Sequence, residues 1–68
     1  MSRLKEIRIF EVRISQFELA KRSGVHPSRL SLIENDLTAP TENERKKISE
    51  ALEMSLGEIF GELSRNKA

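Results

Sequence analysis

The sequence has no cysteine, no tryptophan and no tyrosine, and only one histidine, His26. Without cysteine there is no disulfide framework and no thiolate zinc site, and a lone histidine cannot supply the missing ligands. Long apolar runs are also missing. The charged opening Met1-Ser2-Arg3-Leu4-Lys5-Glu6 leads into no continuous hydrophobic stretch. That argues against a secretory signal or a membrane span and points to a cytoplasmic chain. There is no phosphate-cradling glycine loop, no metal-ligand cluster and no nucleophile–base pairing, so neither an enzyme nor a cofactor is expected. No segment joins a strongly basic face to a broad apolar one, which argues against a membrane-surface helix.

What remains is 68 residues, room for one small domain spanning 1–68 with residues 65–68 expected to fray. Hydrophobic residues make up 37% and charged residues 34%, polar for a globule but above the disordered regime. The net charge of +1 hides an asymmetry. Residues 1–35 carry seven cations against four anions, and residues 36–68 carry five against seven. A basic first half joined to an acidic second half suggests an anionic partner for the first, set against ordinary charge scatter.

Three Ser/Thr-x-x-Glu boxes organise the chain: Ser15-Gln16-Phe17-Glu18, Thr41-Glu42-Asn43-Glu44 and Ser55-Leu56-Gly57-Glu58. In each, the hydroxyl can accept from the third residue's amide while the glutamate reaches back to the cap's own amide. His26-Pro27 marks another start, since proline fits the first helical position and leaves His26 at the cap. Apolar spacing supports these starts through Leu19 and Ala20, Leu30 and Ile33, then Ile48, Ala51 and Leu52, then Leu56, Ile59, Phe60 and Leu63. Leu4, Ile7 and Phe10 suit a helix face near the start. The β-branched run over 7–14 also fits a strand, but a lone strand has no partner in an otherwise helical chain. The pattern predicts an all-α fold of five short helices near 3–11, 16–23, 27–34, 42–53 and 56–64.

Residues 16–35, QFELAKRSGVHPSRLSLIEN, hold a helix, a tight turn and a second helix. Ala20 is small enough for a helix to cross close above it. Gly24 can adopt the left-handed conformation that turns the chain. Leu19, Val25, Leu30 and Ile33 supply apolar contacts that hold the two helices at a steep angle. This is helix-turn-helix spacing, in which the second helix enters the major groove of DNA.

The chain resembles the phage repressor and Cro-type helix-turn-helix proteins, the xenobiotic-response-element type, over roughly residues 4–60. The resemblance is carried by Ile14-Ser15-Gln16, Leu19-Ala20, Gly24-Val25, Leu30-Ser31, Ile33-Glu34-Asn35, Pro40-Thr41, Ile48, Ala51-Leu52, Ser55-Leu56 and Ile59-Phe60. It implies a five-helix lambda-repressor-like domain that binds specific double-stranded DNA, usually as a dimer on an inverted repeat. It also implies a brace between Arg8 and Glu34. Four departures stand out. The segment 8–15 is one residue longer than the common spacing, and Ser23 stands where an apolar residue is usual. Asp36 replaces the glycine after the third helix, and Leu37-Thr38-Ala39 lacks basic residues.

On the third helix, Leu30 and Ile33 point inward, while Pro27, Ser28, Ser31 and Leu32 fall on the outward arc with Arg29 on its flank. By the family motif, Pro27, Ser28 and Leu32 are base-facing and Arg29 reaches a base or phosphate. Serine can bond either kind of base edge, Leu32 can meet a thymine methyl, and Arg29 can fork onto guanine. Leu32 fits a core or dimer contact as well, and Arg29 a solvated surface. Gln16, Arg13 and Asn35 are the phosphate candidates. His26 is expected to be a cap, not a reader. The expected function is a small transcriptional regulator, a repressor acting as a homodimer. An antitoxin-like protein-interaction module on the same fold, using its acidic fourth and fifth helices, is the alternative.

Overall fold

Helix starts in this chain are set by side chains that catch otherwise unbonded amides. In the computed structural model, which describes residues 2–61, every α-helix begins behind such a cap. Ser2 caps α1 (Arg3–Glu6), which continues as a π-helical segment, Ile7–Val12. Ser15 caps α2 (Gln16–Ser23), and His26 caps α3 (Pro27–Glu34). Thr41 caps α4 (Glu42–Leu52), and Ser55 caps α5 (Leu56–Phe60). The fold is all-helical, with no strand among the described residues.

Two of the three expected boxes are reciprocal, at Thr41/Glu44 and Ser55/Glu58. The box at Ser15 is one-sided. Its hydroxyl accepts from the Glu18 amide at 2.9 Å, but the Glu18 carboxylate turns to Arg22 at 2.9 Å and Lys21 at 3.5 Å. Two cations one turn further along the helix outcompete a neutral amide for the carboxylate. Together they hold Glu18 below the usual carboxylate range, with the Arg22 hydrogen bond the largest cause.

Four of the helical segments end in one pattern. Gly24 closes α2 at φ 79°, and three residues with side chains take the same left-handed conformation: Arg13 at 61°, Asp36 at 59° and Glu53 at 56°. Behind α4, Glu53 donates to the Glu50 carbonyl and Met54 to that of Ser49, six residues closing the end as in a Schellman motif. The fourth helix thus ends at Leu52, one residue before the expected stop. The fifth ends at Phe60, short of 64; Leu63 and the tail 65–68 lie outside the described residues.

The π-helical segment accounts for the long spacing over 8–15. Each π turn takes in one residue more than an α turn, so an extra residue is absorbed without displacing the helices beyond it. The Arg8 carbonyl accepts from both Arg13 and Ile14. The widened turn also corrects the expected face. Leu4 and Ile7 are buried, but Phe10 is 64% exposed, carried off their line by the slower rotation of the π turn.

The core is aliphatic: Leu4, Ile7, Leu19, Ala20, Val25, Leu30, Ile33, Ile48, Leu52 and Ile59. Each large member contributes about 1.5–3 kcal/mol through burial. Leu56, expected with the α5 stripe, is exposed because it stands at the first position of a five-residue helix, ahead of the buried Ile59. Ser23 is buried where an apolar side chain was usual, and its hydroxyl is satisfied by the Val25 amide at 3.1 Å.

Candidate nucleic-acid interface

The α2–turn–α3 unit is fixed at both ends. At the turn, Gly24 donates to the Ala20 carbonyl at 2.8 Å, and an added Cβ there would meet no atom within 4 Å. Only the backbone conformation therefore calls for glycine. The His26 ring nitrogen Nδ1 accepts from the Ser28 amide at 3.1 Å and lies 2.8 Å from the Ser28 hydroxyl. His26 is thus a cap, as its place before Pro27 implies.

At the other end of α3 stands Glu34, wholly buried. Arg8 grips it through Nε to Oε2 at 2.7 Å and Nη2 to Oε1 at 3.0 Å, and its Nη1 donates to the Ile14 carbonyl at 2.9 Å. Gln16 donates its Nε2 to the same Glu34 Oε1 at 3.1 Å. Every buried polar side-chain atom among the described residues is satisfied. The brace between Arg8 and Glu34 is present because the π turn absorbs the extra residue and leaves Arg8 facing inward.

This places the phosphate candidates. Gln16, half-buried, begins α2 with its amide group turned to Glu34. Asn35, exposed, comes directly after α3 and donates Nδ2 to the Ser31 carbonyl at 2.9 Å. Arg13, exposed, precedes the Ile14 whose carbonyl Arg8 holds. All three therefore gather around the Glu34 end of α3. Arg13 has no ion-pair or side-chain hydrogen-bond partner among the described residues.

The base-facing candidates divide. On α3, Leu30, Ile33 and Glu34 are buried. Across the helix, Ser28 and Leu32 are exposed, with Pro27 and Ser31 half-buried beside them. Arg29 is engaged elsewhere: its Nε and Nη2 donate to the two Glu44 carboxylate oxygens at 2.8 and 2.7 Å. Glu44 also accepts from the Thr41 amide at 2.9 Å. The Arg29 hydrogen bond first, and the Thr41 amide second, lower the Glu44 pKa to about 2. The same bond raises that of Arg29. Sequence reasoning missed this pair, although an unmatched arginine on α3 and an acidic first turn on α4 were both visible.

Among the described residues no group of three acidic, histidine or cysteine side chains could hold a metal, and no helix is long and apolar enough to cross a membrane. Comparison with curated proteins and with solved structures found no match. A family model described as helix-turn-helix matches residues 4–59, which takes in the Arg8–Glu34 brace, the Gly24 turn and α4. With the all-helical architecture and the turn geometry, that match identifies the chain as a member of the phage repressor and Cro-type helix-turn-helix family, a family of DNA-binding transcription regulators.

Proposed function

We propose that the protein is a cytoplasmic transcriptional repressor that binds an inverted-repeat operator as a homodimer, with α3 in the major groove. The observation that carries this reading is the division of α3 into two faces. Leu30, Ile33 and Glu34 anchor one side, while Ser28 and the 39%-exposed Leu32 stand on the other. Serine can bond either kind of base edge, and leucine gives an apolar contact for a thymine methyl. Pro27, at the start of α3, adds shape to that surface.

Gln16, Arg13 and Asn35 suit the sugar-phosphate backbone. The amides that open α2 strengthen the site, since a helix start favours an anion. A single domain with two or three base contacts at about 1–3 kcal/mol each discriminates poorly against a genome of competing sites. A two-fold pair doubles that energy and sets half-sites about one helical turn apart. Occupying promoter DNA then suffices for repression.

The test is selection of bound sequences from random duplex DNA, followed by titration of the selected site at several salt concentrations. The expected result is a two-fold symmetric site whose affinity falls as salt rises. Ser28→Ala or Leu32→Ala should relax preference at separate positions. Binding that is undetectable or salt-insensitive with every duplex overturns the reading.

A further inference from the structure

The inference rests on the reading that α3 enters the major groove. Arg29 is the only cation of α3, and its guanidinium edge is already occupied. The two parallel donors that would match the O6/N7 pair of guanine instead match the two oxygens of Glu44. Glu44 is not a mobile surface acid. Its amide donates to the Thr41 hydroxyl at 3.1 Å, its Oε1 accepts from the Thr41 amide, and its side chain is only 17% exposed against 35% for Arg29. A guanine drawing Arg29 away would leave this carboxylate without its cation.

We infer that Glu44 is a specificity-determining residue: it holds Arg29 against α4 and keeps an arginine–guanine contact out of the operator. Reading then falls to Ser28 and Leu32, which are uncharged. The acidic start of α4 filters what α3 can recognise without touching DNA itself.

The experiment selects duplexes with the full chain as wild type, Glu44→Gln, Arg29→Ala and the double variant. Glutamine at this position still serves a capping box while losing the charge. Wild type and Arg29→Ala should select the same site. Glu44→Gln should gain a guanine at one position of each half-site, enriched about tenfold, and the double variant should lose it. Should Glu44→Gln fail to fold, Arg29→Ala alone decides, since it leaves the cap in place. An unchanged site supports the inference, and loss of a guanine preference overturns it. A wild-type site that Glu44→Gln also selects overturns the inference alone. A wild type that selects no site overturns the repressor reading, and this inference with it.

Discussion

Arg8 and Glu34, 26 residues apart, meet through two parallel hydrogen bonds of 2.7 and 3.0 Å, with the carboxylate fully buried. Removing one partner of such a pair strands a charge in the interior. Arg8→Ala should therefore cost about 3–5 kcal/mol in urea unfolding. Replacing both partners, Arg8→Met with Glu34→Leu, should cost clearly less than Arg8→Ala alone, because no charge is left behind. A double variant as unstable as the sum of the singles would contradict this.

The π turn over Ile7–Val12 carries one residue beyond what an α-helix needs. Deleting Phe10, whose side chain is largely in solvent, should let the segment close with ordinary α-helical bonds. Stability should change by less than about 1 kcal/mol, near the centre of the range for single changes. Deleting Leu32 from α3 should unfold the chain, since Ile33 and Glu34 would rotate off the core. Circular dichroism with thermal melting separates the two outcomes.

Glu53 occupies a left-handed position at φ 56° with its side chain exposed. Glycine adopts this conformation without the roughly 1–2 kcal/mol clash that a Cβ brings. Glu53→Gly should stabilise the fold by about 0.5–1 kcal/mol once the added chain entropy is subtracted. Gly24→Ala, at φ 79°, should destabilise by a similar amount. Equal midpoints for wild type and Glu53→Gly would refute the strain account.

Acid should weaken the fold from a defined direction. Glu44 has its pKa lowered to about 2, and Glu58 is also lowered, chiefly by the Ser55 amide. A carboxylate depressed in the folded state stabilises it fully above its unfolded pKa, and that share fades as pH falls towards the folded value. Stability should hold near neutrality and decline between pH 5 and about 2. Glu44→Gln should flatten part of that decline and itself cost about 1 kcal/mol at pH 7, the scale of a partly exposed pair.

The bounds of α2 and α3 were readable because their signals are local: Ser15, Gly24, His26 and Pro27 act within a few residues of where they stand. The brace of Arg8 to Glu34 was readable only through family resemblance, since no local rule links positions so far apart. The route by which the extra residue in 8–15 is absorbed was hidden, because a π turn depends on where the packed core holds Ile7 and Arg8. Glu18 was expected to face its own cap, yet Lys21 and Arg22 offered full charges on the same helix. Arg29 was expected to reach outward, but its partner arrives from α4 only once the helices pack.

Glu34 takes hydrogen bonds from the π-helical segment and from the first residue of α2 while standing at the end of α3. Three helical elements thus share one fulcrum, and the turn at Gly24 fixes the opposite end of the α2–α3 pair. So braced, the unit is built as a jig and not as a hinge. On the proposed reading, duplex DNA must then conform to a protein surface of set shape, and the bending or twisting needed differs in cost from one sequence to another. Base pairs that no side chain touches should therefore still be discriminated, through the stiffness of the DNA itself.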